Sequence, residues 1–147
     1  MIDPLTLQKY ALFGGLTEEQ IEIILPVMAE ENFAPAEIII EEGKPNDRLF
    51  FILEGQVAVV KEEVSLAGFC EGDTFGEMEI LDVMPAAASI KALTQVKTMT
   101  ISNRSIRDIY KKDLNTFTLV LMNLARDLVR RLRKMDEKYA SFPPVLY

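Results

Sequence analysis

Residues 72–90 carry the side chains best placed to do chemistry: Gly72-Asp73-Thr74-Phe75-Gly76-Glu77-Met78-Glu79-Ile80-Leu81-Asp82-Val83-Met84-Pro85-Ala86-Ala87-Ala88-Ser89-Ile90. Gly76 permits a positive φ or a close backbone approach, and the short apolar run behind it predicts a helix of one to two turns. Unpaired N–H groups at a helix start can hold an anion. Glu77 sits at that start as an acceptor, and Ala86, Ala87 and Ala88 leave space opposite it. This pattern describes a ligand cleft between a helix start and a small-residue strand. A glutamate at a helix start can equally satisfy local backbone amides.

Other chemistry is thinly supplied. The 147 residues contain no histidine and one cysteine, Cys70. The commonest metal ligand and general base is therefore missing, and no nucleophile–base pair is visible. An intrachain disulfide is impossible, which fits a cytoplasmic setting. A net charge of −7 argues against nucleic acid as a partner. The first ten residues hold one base, Lys9, and no long apolar run, so neither a signal peptide nor a membrane span is expected. With 49% hydrophobic residues the chain can bury a core.

The same residues resemble a known family. Phe75, Gly76, Glu77, Met78, Ile80 and Leu81, then Pro85, Ala87, Ala88, Ser89 and Ile90, are similar to the phosphate-binding cassette of cyclic nucleotide-binding domains, as in catabolite activator proteins and protein kinase A regulatory subunits. The spacing matches without a gap. The resemblance places Glu77 on the glutamate that accepts from the ribose 2′-hydroxyl. It places Gly76, Met78 and Glu79 on the backbone near the phosphate. Two departures stand out: the family's phosphate-pairing arginine falls on Ala86, and its small residue two places after the glutamate falls on Glu79. Ala87 stands where some cGMP binders carry threonine or serine, so guanine selectivity is not implied. Leu121, Leu124 and Leu128 are the implied cover for the base. The resemblance extends over about Leu12 to Leu132 and implies an eight-stranded antiparallel β-roll flanked by helices.

The elements that must position the cleft follow from local signals. Asp3-Pro4 reads as an N-cap and first helical residue, with Gly14-Gly15 as a stop. Thr17 to Gln20 is a capping box for a helix carrying Ile21, Ile24, Leu25 and Met28, which Pro26 kinks or divides. From Phe33 the period shifts toward two. Strands are expected at Glu37 to Glu41, Leu49 to Leu53, Gln56 to Val60, Val64 to Cys70, Ser89 to Leu93 and Val96 to Ile101, with a hairpin tip at Lys61-Glu62-Glu63. Ser102 or Asn103 caps a helix to about Lys111, and Asn115 or Thr116 begins the last one. The division expected is one domain over 1–147: helices to 32, β-roll 33–101, helices 102–140 and a tail 141–147.

In the last helix Leu121, Ala125, Leu128, Leu132, Met135 and Tyr139 recur in steps of four and three, a coiled-coil-like seam. It fits either a homodimer interface or a helix packed on its own domain. Arg126, Arg130, Arg131, Arg133 and Lys134 read as solvated charges favoured by the helix dipole. From Glu62 to Ile90 there are seven acidic residues and no lysine or arginine. The expectation is a non-catalytic regulatory domain in which cAMP is bound weakly or not at all. The alternative is a dimerising protein-interaction module that keeps the fold and binds no nucleotide. Either would signal to an effector protein that the sequence does not identify.

Overall fold

The computed structural model describes residues 2–142. Helix α1 (Pro4–Leu7) opens under an Asp3 cap that accepts from the Leu5 amide, and a 3-10 turn follows at Ala11–Phe13. The capping box at Thr17 is complete: its hydroxyl accepts from the Gln20 amide, and the Gln20 side chain accepts from the Thr17 amide. Helix α2 (Glu18–Ile24) gives way at Pro26 to a 3-10 turn, Leu25–Val27, so the proline divides the helix.

Strands β1 (Ala29–Phe33), β2 (Ile38–Ile40), β3 (Arg48–Glu54), β4 (Val57–Lys61), β5 (Val64–Phe69) and β6 (Thr74–Phe75) precede helix α3 (Glu77–Asp82). Strands β7 (Ser89–Ala92) and β8 (Val96–Ser102) then lead to α4 (Asn103–Lys112) and α5 (Leu114–Ala140). The strands form two antiparallel sheets, in the orders β1-β8-β3-β6 and β2-β7-β4-β5. The β4–β5 hairpin turns on Glu62 and Glu63, both at positive φ, as a two-residue tip requires. The first strand begins at Ala29, ahead of the period change at Phe33. Its residues Glu30, Glu31 and Asn32 are polar, in keeping with β1 being a sheet edge, where charge discourages further pairing.

Strand β3 divides the interior. Leu49 and Phe51 face a core beneath the helices, shared with Leu12, Phe13, Ile21, Ile24, Ile109 and Leu124. Phe50 and Ile52 face a second core between the sheets, with Phe75, Val57, Ile90 and Val96. Alternation along a strand buried on both faces produces this split. Each full burial of a Phe or Ile side chain contributes about 1.5–3 kcal/mol. Gly55 makes the β3–β4 turn at φ 99°, where a Cβ would lie 2.3 Å from the Gln95 carbonyl oxygen.

Helix α5 starts at Leu114 because Asp113 is the cap. Its carboxylate accepts from the Asn115 amide and the Thr116 hydroxyl. The first half of α5 is fastened by buried Asn123, whose Nδ2 donates to the carbonyls of Leu12 (3.0 Å) and Gly14 (2.9 Å). Asn123→Ala strands both carbonyls, and urea unfolding is expected to show a loss of about 2–4 kcal/mol, since each buried unsatisfied group costs roughly 1–3 kcal/mol.

Candidate functional site

The cleft residues are anchored to β3 through an aromatic pair. Phe75 sits opposite Phe50 in the β3–β6 ladder, and their rings stack at 4.8 Å, 5° from parallel. Gly76 follows at φ 90° as the N-cap of α3, so close to the strand that a Cβ would lie 2.5 Å from the Arg48 carbonyl oxygen. This is the close approach that the glycine was expected to permit. α3 ends at Val83, also left-handed (φ 56°), a strained conformation for a β-branched residue.

The strand side of the cleft is stitched to the β2–β3 turn. The Ala86 amide donates to the Lys44 carbonyl (2.9 Å), and the Gly43 amide donates to the Ala86 carbonyl (2.8 Å). The Glu42 amide donates to the Ser89 hydroxyl at 2.9 Å. Asn46 Nδ2 donates to the carbonyls of Arg48 (2.8 Å) and Gly76 (3.3 Å), joining the same turn to the start of α3. Gly76, Glu77 and Ala86 are buried, Glu79 and Ala88 are half-buried, and Met78 and Ala87 are exposed. The structure therefore brings the glycine, both glutamates and the alanine run around one turn.

Glu77 is the electrostatic centre. Its side chain is 3% exposed; Oε1 pairs with Arg131 Nη1 at 2.6 Å, and Oε2 has no hydrogen-bond partner among the described residues. Burial pushes the Glu77 carboxyl above its usual range, although Arg131 pulls the other way. Burial also raises Glu79, opposed by its own backbone amide and Asn46. Arg131 further pairs with Asp127 at 2.7 Å, donates to the Thr74 carbonyl, and lies 4.4 Å from the centre of the Phe69 ring. The view of Arg131 as a solvated charge is corrected: this guanidinium faces the cleft and is anchored by β5, β6 and α3.

A second cation also reaches the cleft. Lys61, one residue outside the acidic stretch, donates to the Ala87 carbonyl at 2.7 Å and pairs with Glu42 at 3.2 Å. Sequence reasoning missed both cations. The i, i+4 spacing of Asp127 and Arg131 was legible as a local pair, but nothing local tied Arg131 to Glu77.

On α5, Leu124 is buried with Leu12 and Phe13, Leu128 is half-buried, and Leu121 is exposed; Leu121 and Leu124 line a cavity beside Ile80 and Leu81. Ala125, Leu132 and Met135 are exposed, as is Tyr139. Among the described residues there is no cluster of three metal-ligating side chains, and no helix is long and apolar enough to cross a membrane.

Removing Arg131 leaves a buried carboxylate without its counter-charge. Arg131→Ala is expected to lose about 3 kcal/mol in urea unfolding. The Glu77→Gln/Arg131→Ala double variant is expected to be more stable than Arg131→Ala alone, because a neutral amide needs no cation.

Known proteins share this fold. A cAMP-dependent protein kinase regulatory subunit from Hypocrea atroviridis is 30% identical over 69% of this chain and 22% of its own length. The chain spans about a fifth or less of the length of the first curated relatives it matches. A cyclic nucleotide-binding domain from Methylobacillus flagellatus superimposes with a TM-score of 0.86, covering 99% of this chain and 85% of that one, at 24% identity, which is a likeness of fold. A Trypanosoma brucei regulatory subunit of a cAMP-independent protein kinase A superimposes with a TM-score of 0.71 at 25% identity, over 82% of this chain and 44% of that one. That structure is a mutant bound to cAMP, with a glutamate changed to alanine, a threonine to arginine and a valine to alanine. The model of the cyclic nucleotide-binding domain matches residues 30–113, and with the β-roll and the Phe75–Ile90 turn in place, the chain belongs to the cyclic nucleotide-binding domain family.

Proposed function

We propose that this chain is a non-catalytic, cytoplasmic regulatory domain whose cleft retains the ribose acceptor but holds cAMP weakly. One observation carries this reading: Glu77 is buried with Oε2 unpartnered, as a site awaiting a donor would be, while the position of the phosphate-pairing arginine is Ala86. The charge-assisted contact that Ala86 cannot make is worth roughly 2–4 kcal/mol, on the scale of hydrogen bonds to charged groups. A loss of ~4 kcal/mol turns micromolar binding into about millimolar. Lys61 and Arg131 offer partial compensation, but each is already paired with a carboxylate. Glu79 adds negative charge beside the helix start.

The Trypanosoma brucei relative supports the same electrostatic logic. There, a mutant carrying one glutamate fewer and one arginine more, together with a valine-to-alanine change, is bound to cAMP. This chain carries Glu79 and Ala86 where the family pattern has a small residue and an arginine.

The domain is also proposed to act as a homodimer through Leu121, Ala125, Leu128, Leu132 and Met135. What favours it is that Leu132 and Met135 are 57% and 62% exposed on a helix whose apolar seam continues past the β-roll. A nucleotide-free, dimerising interaction module is the second reading, and the same exposed seam favours it. In either case an effector protein would receive the signal, and neither nucleic acid nor a membrane is a partner in this proposal.

Titration calorimetry separates these readings. Wild-type protein should bind cAMP near millimolar, and Glu79→Gln/Ala86→Arg should tighten it by about 10²-fold; an unchanged affinity would defeat this account of the cleft. Because burial raises the carboxyl pKa of Glu79, the group is neutral at low pH and charged above its folded value. cAMP affinity should therefore fall as pH rises through that value, and less so in Glu79→Gln. Stability carries the same sign: the contribution of Glu79 is present below its unfolded pKa and lost as pH rises through the folded one. Sedimentation should give a dimer that Leu132→Lys/Met135→Lys converts to monomer; a wild-type monomer at high concentration rejects the shared seam.

A further inference from the structure

A cavity of about 210 Å³ lies between α3, α4, α5 and the N-terminal helices. Its floor is built from buried apolar side chains, including Phe13, Leu49 and Leu124. Its mouth contains exposed Leu81 and Arg107, together with half-buried Asn103. Asn103 and Arg107 are four residues apart on α4, hence on one face of that helix. Among the described residues Arg107 makes no ion pair. Glu77 also borders the cavity, with its Oε1 paired to Arg131, whereas no carboxylate among the described residues pairs with Arg107, which is exposed at the rim.

We propose that this cavity binds a medium-chain aliphatic carboxylate, its tail on the apolar floor and its head between Arg107 and Asn103. The volume sets the length. A cavity of about 150 Å³ accepts benzene, so the 210 Å³ here has room for a somewhat larger apolar body, on the order of eight carbons. The lining sets the chemistry: apolar walls reject a polar body, while a guanidinium and an amide at the rim suit the two oxygens of a carboxylate. The site uses none of the alanine run and needs no donor to Glu77, although Glu77, Leu121 and Leu124, which the nucleotide reading invokes, also line it. It does touch the cleft mechanically, because Ile80 and Leu81 of α3 form part of its wall.

Calorimetry of the full chain with octanoate, butanoate, hexadecanoate and 1-octanol tests the proposal. Octanoate should bind one per chain with Kd below about 0.1 mM, a value reasonable for ten heavy atoms, and more tightly than butanoate or hexadecanoate. Arg107→Ala should weaken octanoate by about tenfold or more while leaving 1-octanol within about twofold. Leu81→Trp should block both, with an unchanged circular dichroism spectrum. Absence of saturable octanoate binding at 1 mM overturns the proposal, and so does octanoate binding that ignores Arg107→Ala. If Leu81→Trp does not fold, the chain-length series decides: affinity rising steadily through hexadecanoate would indicate surface adsorption and sink the cavity.

Discussion

A carboxylate buried as deeply as that of Glu77 cannot stand alone, and much of the arrangement around it follows from that constraint. Arg131 enters from α5 to meet it, and in doing so fixes where the last helix crosses the roll. The guanidinium lies over Phe69 and donates to the Thr74 carbonyl, so the same contact joins β5, β6, α3 and α5. Taking two charges partly out of water is expensive, and such a pair adds little net stability over an apolar one of the same shape. What it specifies is position. The helix can pack in many registers on an apolar surface, but only one presents a guanidinium to Oε1.

The cleft is held from the other side by main-chain contacts rather than charge. Gly43, Lys44 and Ala86 exchange two backbone hydrogen bonds, and Asn46 bridges the strand and the helix start. Phe50 and Phe75 stack beneath it and leave α3 little freedom at its beginning. Its end is different: Val83 is left-handed and 85% exposed, with few neighbours to enforce the strained φ. A six-residue helix pinned at one end and strained at the other is suited to move when its contents change.

Much of this was legible in the sequence because it is local. The capping box at Thr17, the division of α2 at Pro26, the Glu62-Glu63 tip and the Phe75-Gly76 turn each depend on residues within a few positions. β1 was missed, the first strand expected being Glu37 to Glu41, because an edge strand of alanine, glutamates and asparagine looks like a loop. The start of α5 was placed a residue or two late, Asp113 being passed over as a cap. The long-range polar contacts were not legible at all. Arg131 to Glu77 spans 54 positions and Asn123 to Leu12 spans 111. A solvated arginine and one that crosses a domain have the same letter, and periodicity ranks Asn123 as an interruption in an apolar stripe rather than its fastener.

The length of α5 has a mechanical corollary. The helix is clamped near its middle, at Asn123 and again at Arg131, and then runs on through Ala140 with exposed side chains. Nine residues beyond the second clamp project about 14 Å at 1.5 Å per residue. Such an extension behaves as an outrigger: tilting the helix by ~10° at the guanidinium sweeps its tip through about 2 Å, so a rearrangement too small to notice inside the roll becomes a displacement large enough to open or shut a contact outside it.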